Sequence, residues 1–140
     1  MTNFTPQMNL ALTLAALNTL LTKRIDSPLS YHGISFTEFM VMHHLNNAAN
    51  QCMRRIDLAE KIGLTASGVT RLLLPMEKIG LIQKEKNPRD ARVSLVKLCD
   101  AGNVILADAS NTFEQSTQKL FESLEPSEID ELSRISNKLL

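Results

Sequence analysis

The residues of this chain best suited to chemistry are three arginines and a run of small, mostly hydroxylated side chains. Thr65, Ala66, Ser67, Gly68 and Thr70 lead directly into Arg71. With Thr65 as a helix cap, the small residues stand at a helix N-terminus, where unpaired N–H groups and the helix dipole favour an anion. Arg71, one turn in, is long enough to meet a guanine edge bidentately, to grip a phosphate, or to pair with Glu77. A second basic point follows in Asn87-Pro88-Arg89-Asp90-Ala91-Arg92. Carried on a thin β-ribbon, Arg89 and Arg92 suit a narrow minor groove, whose negative potential rewards inserted cations. Asp90 between them can hold an arginine by a charge-assisted hydrogen bond or cap the turn, and the two roles are compatible. The chemistry on offer is recognition of a polyanion, and double-stranded DNA is the one whose grooves these residues fit.

The charge distribution agrees. The 140 residues carry 15 Lys/Arg and 15 Asp/Glu, a formal net charge of zero. Residues 53–97 hold ten Lys/Arg against five acids, a surplus of five positive charges, which the remainder balances with five excess negatives. A basic middle between acidic ends reads as an anion-binding module on a solubilising frame.

Several other classes are disfavoured. No Gly-rich phosphate loop, nucleophile elbow or catalytic dyad is present, so no enzyme and no cofactor are expected. His43-His44, with Glu38 and His32 nearby, raises a metal site. Adjacent helical residues point about 100° apart, however, so the pair cannot share one ion, and no metal is expected. Cys52 and Cys99 match no zinc or redox spacing, which points to free thiols in a reducing cytoplasm. The apolar start, residues 8–21, lacks a basic leader and is interrupted by Thr13, Asn18 and Thr19, so neither a signal peptide nor a membrane span is expected.

The elements that must position the arginines are mostly helical. Leu10, Leu14, Leu17 and Leu21 mark a helix over about 6–25, and Leu12, Ala16 and Leu20 give it a second apolar face. A helix apolar on two faces needs partners on two sides, and near a terminus a second subunit can be one of them. Ser27-Pro28-Leu29-Ser30 and Gly33 read as a loop. Ser35-Phe36-Thr37-Glu38 is a capping box opening a helix with Phe39, Met40, Val41 and Leu45, which Asn46, Asn47 and Asn50 end. A short helix over about 55–62 carries Ile56, Ala59 and Ile62 on one side and stops at Gly63. The next runs from Thr65 to Gly80, with Val69, Leu72, Leu73 and Met76 inward, and is expected to survive Pro75 with a bend. Residues 81–86 and 92–98 then read as two strands joined by the arginine-bearing turn, a basic-tipped hairpin. A long helix over about 104–123 and a last one opened by Pro126, with Ile129, Leu132, Ile135 and Leu139 in register, complete the chain. The fold class is mainly α with a small β-hairpin wing: a winged helix-turn-helix plus a helical dimerisation region, in one domain over 1–140.

At this point the chain resembles the MarR family of regulators. The resemblance rests on Asp57-Leu58-Ala59-Glu60-Lys61-Ile62-Gly63-Leu64, Val69-Thr70-Arg71-Leu72-Leu73 and Glu77-Lys78-Ile79-Gly80-Leu81-Ile82, and most of all on the wing at residues 87–92 running into Val96-Lys97-Leu98-Cys99-Asp100-Ala101-Gly102. It implies a triangular homodimer, with about 6–30 and 103–140 as dimerisation helices and about 34–99 as the DNA-binding lobe. It further implies a ligand-responsive repressor on a pseudo-palindromic operator, with Thr65, Ala66, Ser67, Gly68, Thr70, Arg71, Arg89, Asp90 and Arg92 at the DNA. A small aromatic or lipophilic effector is implied between the two regions, where Tyr31, His32, Phe36, Phe39, Met40 and His43 fall. Two alternatives are a winged-helix module acting only through protein contacts and a redox regulator working through Cys99. Cys99 stands where the family usually has a Thr cap. Asp100 is expected to take over that cap, and a thiol at a helix N-terminus is expected to have a lowered pKa.

Overall fold

The structure, a computed structural model, describes residues 3–140. Helix α1 (Pro6–Leu29) is capped by Thr5, whose hydroxyl accepts the Met8 N–H at 3.1 Å, with Pro6 in the first turn. It runs past the expected end. Ser27, Pro28 and Leu29 are helical, and a 3₁₀ turn (Ser30–His32) ends in left-handed Gly33. Pro28 removes one hydrogen bond from the last turn, but Leu29, fully buried, and Ile25, nearly so, dock that turn onto the core. Packing outweighs the local signal that reads as a loop.

Helix α2 (Phe36–Asn46) opens with the capping box: Ser35 Oγ accepts the Glu38 N–H at 3.1 Å, and Glu38 returns a carboxylate oxygen to the Ser35 N–H at 2.8 Å. A second 3₁₀ turn (Ala49–Gln51) leads into strand β1 (Cys52–Arg54), then helix α3 (Arg55–Ile62) and helix α4 (Ala66–Lys78). Gly63, at φ +75°, makes the turn between α3 and α4, a conformation that costs a residue with a Cβ. Strands β2 (Ile82–Lys86) and β3 (Ser94–Leu98) form the wing, and helices α5 (Asp100–Leu120) and α6 (Pro126–Asn137) follow.

The sheet is antiparallel in the order β1-β3-β2, with Cys52 opposite Lys97 and Ile82 opposite Leu98. β1 does not stand out in the sequence, because three residues are too few to show alternation. Val96, Leu98 and Ile82 face the core, and α4 lays Val69, Leu73 and Met76 against it. Pro75 does not break α4, which continues three residues beyond it. In α3, Ala59 is buried and Ile62 packs against the core as expected, but Leu58 is fully buried with them and Ile56 is 64% exposed, so the inward face is shifted toward Leu58. α5 packs along α1 and α2, burying Leu106 and Ala109. At its start, Gly102 lies so close to the Leu81 carbonyl and Leu98 that an added Cβ would stand 2.6 Å from Leu98 Cδ1. α6 buries no residue within the subunit.

Candidate nucleic-acid interface

Helix α4 divides sharply by side. Val69, Leu73 and Met76 are buried, whereas Ala66, Ser67, Thr70 and Arg71 face outward. Thr65 caps the helix by accepting the Gly68 N–H at 3.0 Å, as its position suggests. Gly68 is half-buried; a Cβ there would stand 3.1 Å from Thr65 Oγ1 and crowd the cap. Thr70 is committed on both sides: its hydroxyl donates to the Ala66 carbonyl and accepts from Arg55 Nη2, each at 3.0 Å. It therefore ties α3 to α4 and has no free proton to offer.

Arg55 escapes sequence reasoning, since nothing in the spacing distinguishes it from Arg54. Its guanidinium is largely buried between α3 and α4, with Nη1 3.7 Å from Glu77 Oε1. That separation is too long for a hydrogen bond, and both atoms are buried without another partner among the described residues. Glu77 is thus occupied by Arg55, not by Arg71, which lies on another side of α4. Arg71 forms no ion pair among the described residues and extends into solvent. Arg54 instead pairs bidentately with Asp57, at 2.8 and 3.0 Å, and its hydrogen bond holds that carboxyl below the usual range.

At the wing, Asp90 performs both roles considered for it. Its Oδ1 accepts the Arg92 N–H at 3.0 Å, closing the turn, and its two oxygens accept Arg92 Nε and Nη2 at 3.1 and 3.3 Å. These bonds, the side-chain one foremost, lower the Asp90 pKa. The Arg92 side chain is 92% exposed, so its direction is set while its face stays free. Arg89 is also exposed, with its N–H donated to Asn87 Oδ1 at 2.9 Å. Between α3, α4 and the wing lies a cleft of about 590 Å³, with Arg55, Thr70 and Arg92 among apolar walls from Ile56, Leu64 and Val69.

The residues expected to take an effector are dispersed. Phe36 and Phe39 meet Phe113 of α5, with ring centroids 5.8 and 4.8 Å apart, and fill the space between α2 and α5 themselves. His32 Nε2 is 2.7 Å from Thr112 Oγ1. Met40 is half-buried, while Tyr31, 90% exposed, and His43 point outward. His43 and His44 meet edge to face, and burial, then His43 and Lys61, lower the His44 pKa. Among the described residues no three His, Cys, Asp or Glu side chains stand together as a metal site, and no helix is long and apolar enough to cross a membrane.

Cys99 differs from expectation. It is itself the cap residue of α5, but its thiol makes no capping hydrogen bond, and Asp100 begins the helix instead of capping it. Burial and then the Asp100 carboxylate push the Cys99 thiol up, with Lys97 opposing. The shift is opposite to that of a reactive thiolate, because the adjacent negative charge and partial desolvation outweigh the helix N-terminus. Cys52 is likewise pushed up, by burial and by Glu85, to which its thiol donates at 3.7 Å.

The sequence model of the MarR family matches residues 34–94, from just before α2 to the start of β3. The transcriptional repressor MprA of Escherichia coli is 27% identical over 112 residues, which cover 80% of this chain and 64% of that protein. The chain thus spans less than two thirds of that relative's length. Among solved structures, a mutant MarR from E. coli complexed with operator DNA superposes with a TM-score of 0.88 at 23% identity, covering 100% of this chain and 99% of that one. AbsC, a MarR family transcriptional regulator from Streptomyces coelicolor, does so with a TM-score of 0.85 at 22% identity, over 99% and 98% of the two chains. These likenesses establish the fold as winged helix-turn-helix with terminal helices. The lobe at residues 34–94 is matched by the family's own sequence model, so in that region the chain is similar to the MarR family.

Proposed function

We propose that this protein is a sequence-specific DNA-binding transcriptional regulator, not an enzyme, and that it acts in the cytoplasm as a homodimeric, ligand-responsive repressor. The observation that carries the reading is the pairing, on one basic lobe, of an exposed α4 stripe ending in unpaired Arg71 with a wing whose Arg92 is oriented by Asp90. In this reading the N-terminal turn of α4, Thr65 to Arg71, enters the major groove and Arg89 and Arg92 enter the flanking minor groove. Thr70 and Asp90 hold their neighbours in place.

Dimerisation is supported by α1 and α6. Leu10, Leu12, Leu17, Ile129, Leu132 and Ile135 are all at least 39% exposed, more apolar surface than a lone subunit leaves uncovered without use. Two-fold symmetry then gives a pseudo-palindromic operator with half-sites roughly 34 Å apart. The solved relative with operator DNA and the repressor name of MprA support the same reading. We place the effector, a small aromatic or lipophilic molecule, where α2 meets α5 between the lobe and the terminal helices, with Phe36, Phe39 and His32 nearest. An occupant there has to displace Phe113.

The test is fluorescence anisotropy on duplexes selected by the protein from a random library, across a salt series. Binding is expected to weaken steeply with salt, and Arg92→Ala to lose about 1–3 kcal/mol. Equal, weak binding of both proteins to any duplex would overturn DNA reading and leave a module acting through protein contacts.

A further inference from the structure

One exposed residue of α4 is unexplained by the subunit. Leu74 is 44% exposed, although its neighbours Leu73 and Met76 are completely buried. At 3.6 residues per turn, Ser67, Thr70, Arg71, Leu74 and Lys78 fall within roughly 100° of one another around the helix, with Leu74 near the middle and away from the core. Ser67, Thr70, Arg71 and Lys78 are exposed as well. Leu74 is thus the one large apolar side chain on a polar stripe, about 4.5 Å further along the axis than Arg71.

We propose that Leu74 reads a thymine by packing on its 5-methyl group in the major groove. This inference rests on the DNA-reading function proposed above. Thymine alone among the bases presents a methyl group in that groove, and an apolar side chain is the group that recognises it. The surroundings select this occupant over an apolar protein surface. Arg71 and Lys78, three residues before and four after, are exposed cations without carboxylate partners among the described ion pairs, so Leu74 sits between charges that match a phosphate-walled groove. The faces that suit a second copy of the chain lie instead on α1 and α6.

The test remakes a library-selected operator duplex with 2′-deoxyuridine in place of one thymine at a time, which removes a methyl group and leaves every hydrogen-bonding atom. At one thymine in each half-site, uracil is expected to weaken wild-type binding by about fourfold, the worth of one buried methyl-sized group. Leu74→Ala is expected to bind the thymine duplex at least that much more weakly and to show no preference between thymine and uracil there. Leu74→Met should keep the preference, and both variants should match the wild-type helicity and melting temperature. Wild-type indifference to uracil at every position, or an unchanged uracil penalty in Leu74→Ala, would overturn the inference while DNA reading stands. Failure to enrich any sequence, with no salt-dependent duplex binding, would overturn both.

Discussion

The winged lobe and the terminal helices treat their apolar residues in opposite ways. In the lobe, α4 and the sheet turn Val69, Leu73, Met76, Ile82, Val96 and Leu98 inward until almost nothing of them is exposed. The polar side chains left outside are held by local hydrogen bonds, as with Thr65 to Gly68 and Asp90 to Arg92. Along α1 only Ile25 and Leu29 are buried and α6 buries nothing, while leucines line α1, and Ile129, Leu132 and Ile135 line α6, in solvent. The lobe has a closed core within one chain, whereas the terminal helices leave most of their apolar residues uncovered. Burial of a Leu contributes about 1.5–3 kcal/mol, so leucines without a core to enter are stabilising only when a partner covers them. The difference is the one the proposed function calls for, with recognition in one region and assembly in the other.

The largest expected effect tests that assignment directly. Leu17→Asp combined with Ile135→Asp should convert the proposed dimer to monomer, because each change replaces an exposed apolar side chain with a carboxylate, at an expected cost of several kcal/mol per interface. Sedimentation velocity would show the mass, and circular dichroism should show the lobe still folded. A double variant that stays dimeric would mean that other surfaces join the subunits. Next comes the seam where the regions meet. Gly102→Val should destabilise the fold by about 1–3 kcal/mol in urea titrations, since its Cβ overlaps the Leu81 carbonyl and crowds Leu98.

A smaller effect is expected inside the lobe, and it should spare stability. Asp90→Ala releases an exposed guanidinium and one turn hydrogen bond, so the urea midpoint should hardly move while operator affinity falls, by less than in Arg92→Ala. The Asp90 carboxyl has a lowered pKa in the folded chain, so its contribution is present above the unfolded carboxylate range and is lost as pH falls through the folded value. The smallest effect concerns the thiols. Both cysteines have raised pKa values. Their iodoacetamide alkylation in the native protein should therefore stay slow through neutral pH and accelerate only above about 8.5, the ordinary thiol value. The same shift means that any stability they contribute is lost as pH rises through the folded pKa. Rapid alkylation of Cys99 at pH 7 would restore a redox role.

Much of the fold was legible because its punctuation is local. The Ser35 capping box, the Thr65 cap, the stop at Gly63 and the start at Pro126 each depend on a few adjacent residues, and each is formed as expected. The Asp90 and Arg92 contacts are two residues apart and were readable for the same reason. Where an outcome depends on distant packing, the reading was incomplete. The end of α1 is decided by Leu29 entering the core despite Pro28, and the inward face of α3 by Leu58, not Ile56. β1 exists because β3 offers it a ladder. Arg55 becomes a tie between α3 and α4 only when Thr70 and Glu77 are brought to it.

By itself, the sequence determined the order of the helices, the hairpin with its arginines, and the basic middle between acidic ends, because periodicity, caps and charge are properties of neighbouring residues. Only the tertiary structure decided that Arg55, not Arg71, meets Glu77, that Phe113 packs against both Phe36 and Phe39, that burial pushes the Cys99 thiol up, and that Leu74 is turned outward. Each of these is a matter of which atoms fill the same space, and burial and pairing between remote segments settle that.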